Sequence, residues 1–101
     1  MQEIEFVFDN PELFRNVVKE LNFAVYFEMD SRMKKQYQIQ LIKGFSEALA
    51  LKPSDDIESK KYIIKTFLNT LKEEFNKVDN YELSALARDS INFVDGIREW
   101  I

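Results

Sequence analysis

Neither cysteine nor histidine occurs anywhere in this chain. Without cysteine there is no disulfide framework, no thiol nucleophile and no thiolate ligand. Without histidine, the ordinary zinc sites and every imidazole-based acid–base mechanism are excluded. Glycine and proline are nearly as scarce, at two each. That is too little punctuation for the turns of a sandwich or barrel, and it favours long helices. A dominant charge is missing as well. The 14 basic side chains stand against 18 acidic ones for a net of −4, and they are spread evenly, so no basic tail or acidic block points to one class of partner. No stretch nears the roughly 20 apolar residues that span a bilayer; the longest apolar run, Phe23-Ala24-Val25-Tyr26-Phe27, stops at Glu28. The opening residues Met1-Gln2-Glu3-Ile4-Glu5 have neither the basic start nor the apolar core of a secretory signal. A cytoplasmic protein without a membrane segment is the expectation.

What is present is core material. Hydrophobic residues make up 46% and aromatic residues 14% of the 101 positions, enough to rule out intrinsic disorder and to fill one helical domain over residues 1–101. Residues 3–8 alternate, with Ile4, Phe6 and Phe8 on one face, as in a short strand or extended arm. Asp9-Asn10-Pro11 then supplies a cap with proline at the first helical position. Leu13, Phe14, Val17, Val18, Leu21, Ala24 and Val25 continue a helical stripe that predicts a first helix running to about Met29.

A second helix is expected from near Arg32, with Met33, Tyr37, Leu41, Phe45 and Leu49 on its inner face and Asp30-Ser31 as a candidate cap. The loop at Leu51-Lys52-Pro53-Ser54 precedes a third helix capped by Ser54 or Asp55, because proline disfavours helix at the residue before it. Ile57, Ile64, Leu71 and Val78 recur every seven residues, and Lys61, Leu68 and Phe75 form a second series, a seam of the kind found in bundles. Asp79-Asn80 caps a fourth helix carrying Leu83, Leu86, Ser90, Phe93, Ile97 and Trp100. The predicted fold is mainly α, an antiparallel four-helix bundle with a short N-terminal strand or arm. The alternative is a small α+β domain with strands near 3–8 and 23–29, since Phe23, Val25, Phe27 and Met29 also alternate.

Little catalytic chemistry fits these residues. Di-iron bundles need Glu-x-x-His pairs, and the adjacent acids Asp55-Asp56 and Glu73-Glu74 diverge by about 100° on a helix. No Gly-x-Ser-x-Gly elbow exists, and the two glycines, Gly44 and Gly96, are isolated, so neither a serine hydrolase nor a phosphate cradle is indicated. The chain is expected not to be an enzyme and to hold no cofactor or metal. No motif carries a family resemblance.

Two surfaces are candidates for binding. With residues 21–29 as helix, Leu21, Ala24 and Val25 face the core and Phe23, Tyr26 and Phe27 the other side, where Phe6 and Phe8 of the N-terminal arm are expected to join them. Clustered exposed aromatics are what an interface core looks like. This favours a non-enzymatic interaction module (adaptor, inhibitor or immunity-type binder) that takes a protein partner or its own copy in a homodimer. The alternative is a nucleic-acid-associated domain in which Arg32, Lys34, Lys35, Lys60, Lys61 and Lys65 meet phosphates. Intermixed acids and only four arginines to ten lysines weigh against it. A ligand-holding bundle is a third reading, requiring a cavity that no sequence displays.

Overall fold

The structure, a computed structural model, describes residues 11–100. Among these residues the elements run α1 Pro11–Glu20, a 3-10 helix Phe23–Glu28, α2 Ser31–Ala48, α3 Ile57–Lys77 and α4 Tyr81–Asp95, with no strand. The expected strand over residues 3–8 lies outside the described residues. Among the described residues no helix is long and apolar enough to cross a membrane.

Left-handed residues decide where three of the helices stop. Ala50 has φ 54° and Asp79 has φ 58°. Each allows a paired closure: Leu51 N to Ser46 O at 2.9 Å with Ala50 N to Glu47 O at 3.1 Å, and Asn80 N to Phe75 O at 2.8 Å with Asp79 N to Asn76 O at 3.2 Å. These are Schellman motifs, which satisfy carbonyls the helix leaves without partners. Asn22 (φ 55°) ends α1 with only the inner of these two bonds, Asn22 N to Lys19 O at 3.1 Å. The first helix therefore stops at Glu20, well short of Met29. Asparagine tolerates this conformation because its short side chain bonds locally, and the apolar periodicity beyond it gave no sign of the break. Residues 23–28 then wind as a 3-10 helix, so neither the α-helical nor the strand expectation for them holds.

The other ends follow capping chemistry. Asp30 accepts from Met33 N at 2.8 Å, Asp56 from Ser59 N at 2.7 Å and Asn80 from Leu83 N at 3.3 Å, each satisfying an orphan donor of a first turn. Asp56, rather than Ser54 or Asp55, caps α3; Asp55 turns back to accept from Lys52 N at 2.9 Å. Helix α4 ends at Asp95 with Gly96 as its C-cap, so the helix does not carry Trp100 as expected.

Packing is dominated by the α3–α4 hairpin. Ser84 Oγ donates to Asn76 Oδ1 near its turn, and Lys65 pairs with Asp95 near its open end. Helix α2 lies against both arms of the hairpin, and α1 lies on α2. A run of phenylalanines joins the layers: Phe14 stacks on Phe45 at 5.4 Å and touches Phe75 at 5.3 Å, while Phe45 meets Phe67 at 5.5 Å. All four are buried. Gly44 brings α1 close to α2, since a Cβ there would lie 2.8 Å from Val17 Cγ1. The heptad reading of α3 drifts at both ends. Lys60 is buried where Lys61 was expected on the seam, and Val78 is exposed, because a straight helix slips about 20° per seven residues. The radius of gyration is 12.9 Å, near the roughly 13 Å of a compact body of 100 residues.

Candidate functional site

The aromatic patch expected at 23–27 is divided by the 3-10 geometry. With about three residues per turn, Tyr26 points inward and is 3% exposed, whereas Val25 and Phe27 are each 41% exposed. Phe23 is half-buried against the core. Ala24 and Val25, expected on the core side, face outward. Phe6 and Phe8 lie outside the described residues.

Tyr26 belongs to a buried polar network. Its hydroxyl donates to Asp89 Oδ2 at 3.2 Å and accepts from Gln38 Nε2 at 2.9 Å. Ser90 Oγ lies 2.8 Å from both Gln38 Oε1 and Leu86 O and shares its one proton between them. The Tyr26 ring packs against Tyr37 and Phe27 at 5.0 Å each, with Lys34 Nζ 5.4 Å from its centroid. Burial raises the Tyr26 phenol above its ordinary range, and the Asp89 charge adds to this against the Gln38 bond. Tyr37 is raised further, by burial and by Tyr26, and its hydroxyl has no hydrogen-bond partner among the described residues. These tyrosines anchor the 3-10 helix to α2 and α4 and are not free to meet a partner.

The six cations of the expected phosphate surface are not brought together. Arg32, Lys34 and Lys35 lie within the first five residues of α2, while Lys60 touches Pro53 beyond its last turn. From Lys34 to Ala48 alone is about 21 Å along a helix rising 1.5 Å per residue. Lys61 Nζ donates to the Asp95 and Ile97 carbonyls at 3.1 Å each, closing the end of α4, and Lys65 pairs with Asp95. Lys60 is 6% exposed. No cluster of acids able to hold a metal occurs among the described residues.

What the structure does assemble is a groove along the outer side of α2. One hollow is lined by Leu21, Met29, Met33, Tyr37 and Ile39. It shares Leu21 and Gln40 with a second, formed where Val17 meets Gly44 and Ala48. That one shares Lys43 and Glu47 with a third, walled by Leu51, Pro53, Lys60 and Trp100. Met33, expected in the core by its spacing of four from Tyr37, is 51% exposed at one end. Sequence reasoning missed Met29 and Ile39 as surface-site residues, and placed Lys60 on a phosphate surface rather than in this groove. The short apolar pair Gly44 and Ala48 was the one available hint of a furrow on this face. No family model, curated protein or solved structure matches the chain.

Proposed function

We propose that the chain is a non-enzymatic protein-interaction module, built as an antiparallel four-helix bundle and working in the cytoplasm, that receives an amphipathic helix of another protein along α2. The observation that carries this reading is the groove, with Met33 half-exposed at its mouth and Val25 and Phe27 exposed two to four residues before Met29. Apolar side chains at i, i+3, i+4 and i+7 of a docked helix fit such a furrow, and burial of its methionines and aromatic rings supplies the affinity. The spacing from Met33 to Ala48, about 22 Å, accommodates roughly four helical turns.

Charge selects the kind of helix. Within Ser31–Ala48 four cations, Arg32, Lys34, Lys35 and Lys43, stand against one acid, Glu47, with Glu20 of α1 a second acid at the middle hollow, although the chain as a whole carries −4. An acidic flank on the partner complements this local excess and speeds encounter.

Selection from a displayed library of helical peptides tests the reading. Enriched sequences should be amphipathic and net negative, and should bind one-to-one. Binding should be lost in a Phe27→Ser, Met33→Asp variant that keeps its helical circular dichroism. No enrichment, or binding indifferent to the two substitutions, overturns it. Light scattering over a concentration series should show a constant monomeric mass; a dimer broken by the same substitutions would give the groove to a second copy instead.

A further inference from the structure

The hollow at the Trp100 end of the groove has chemistry of its own. Lys60 is 6% exposed, yet among the described residues its ammonium has one acceptor, the Pro53 carbonyl at 3.5 Å, and one ring, Trp100, with its centroid 5.3 Å away. An ammonium carries three N–H donors, and a bond of that length is at the weak limit. No carboxylate of the described residues pairs with it. Its neighbours on the same helix differ: Lys61 holds two backbone carbonyls and Lys65 holds Asp95. The Lys60 ammonium therefore keeps N–H donors for an anion in the hollow that it lines. The cavity it lines measures about 520 Å³, with Leu51, Pro53 and Trp100 as apolar walls and Lys43 and Glu47 at the rim.

We propose that this hollow binds the free C-terminal carboxylate of a peptide whose last residue is apolar. Lys43 and Lys60 against Glu47 leave one net positive charge, which matches a monoanionic carboxylate better than a phosphate dianion. The apolar walls stand directly beside the ammonium. An α-carboxylate places its own side chain next to its charge, so both are satisfied together, whereas a glutamate side chain would draw a polar amide backbone against those walls. Leu51, Pro53 and the part of the Trp100 ring that Lys60 leaves uncovered receive the terminal side chain by burial. This assignment rests on the groove being a protein-binding surface and specifies what reaches its end.

Trp100 is the chain's one tryptophan, so its emission reports occupancy directly. Acetyl-Leu-Phe with a free carboxylate should shift that emission saturably, while acetyl-Leu-Phe-amide, acetyl-glutamate amide and inorganic phosphate should not at the same concentrations. Lys60→Met, which keeps the length of the side chain, should weaken binding about tenfold or more, the scale of a lost charge-assisted contact, with helical content retained. Equal binding of acid and amide, or of glutamate amide, or an unaffected Lys60→Met variant, overturns the proposal. If Lys60→Met does not fold, Lys43→Gln decides: weaker binding with a flatter salt dependence supports the site, and unchanged binding overturns it. The dipeptides are too short to fill the rest of the groove, so their failure leaves the helix-docking reading standing, and failure of the helical peptides leaves this site standing.

Discussion

Ala50 occupies a backbone conformation that most L-residues avoid. Its φ of 54° is held by the two closing bonds from Leu51 and Ala50 to the last turn of α2, at a steric cost of about 1–2 kcal/mol. Ala50→Gly should therefore stabilise the fold by roughly 0.5–1 kcal/mol, the relieved strain being offset in part by the greater freedom of glycine in the unfolded chain. A higher urea midpoint at unchanged slope would show it. Tyr37 presents the opposite case, a polar atom where an apolar one fits. Its ring is packed against Tyr26 while its hydroxyl is buried without a partner among the described residues. Tyr37→Phe should be neutral or stabilising by up to about 1 kcal/mol, because it removes a desolvation penalty and leaves the ring in place. A loss exceeding 1 kcal/mol by the same unfolding measurement would mean that the hydroxyl has an acceptor.

At the scale of elements, the α1–α2 contact turns on Gly44 and Val17. A methyl group at position 44 would fall 2.8 Å from Val17 Cγ1, and valine has little freedom to turn away. Gly44→Ala should cost about 1–2 kcal/mol, overpacking outweighing the gain of roughly 1 kcal/mol in helix propensity. Adding Val17→Ala should recover part of that loss; a double-mutant cycle with no coupling would contradict the close approach. The start of α3 responds to pH. Asp56 is held below the ordinary carboxylate range by its hydrogen bonds from Ser59, side chain and backbone. A depressed folded-state value means that this contribution is complete above the unfolded carboxylate value, near pH 4, and is lost as pH falls through the folded one. Asp56→Asn should remove that limb of the acid-unfolding curve while retaining a cap. Both elements carry partial sequence signals: the Asp cluster before Ile57 announces a helix start, but which of Ser54, Asp55 and Asp56 caps depends on how the Pro53 turn folds back.

For the molecule as a whole, stability should fall on the alkaline side. The Tyr26 and Tyr37 phenols are both raised by burial, so their neutral forms favour the folded state. That contribution is complete below the unfolded tyrosine value, about pH 10, and is lost as pH rises through the folded values. Urea midpoints followed upward from pH 9 should decline, and less steeply in Tyr37→Phe. Because Tyr26 links the 3-10 helix to α2 and α4 through Gln38, Asp89 and Ser90, the decline should coincide with loss of the core.

The order and kind of most helices were written in local signals. Caps at Asp30 and Asn80, proline at the start of α1 and the apolar stripes of α2 to α4 each act within a few residues, and such signals survive without tertiary context. The 23–28 segment was not so written. Asn22 takes a left-handed conformation that asparagine permits but does not demand, and only packing of Tyr26 onto Tyr37 and Gln38 selects the 3-10 path over strand or α-helix. The candidate site was the least legible part. The amino-acid sequence determined a cysteine- and histidine-free helical chain with a phenylalanine-rich core and mixed charge. Tertiary packing decided that Tyr26 is core and Met33 surface, that the six cations lie apart, and that Lys60 withdraws beside Trp100, because burial depends on which neighbouring helix covers a face.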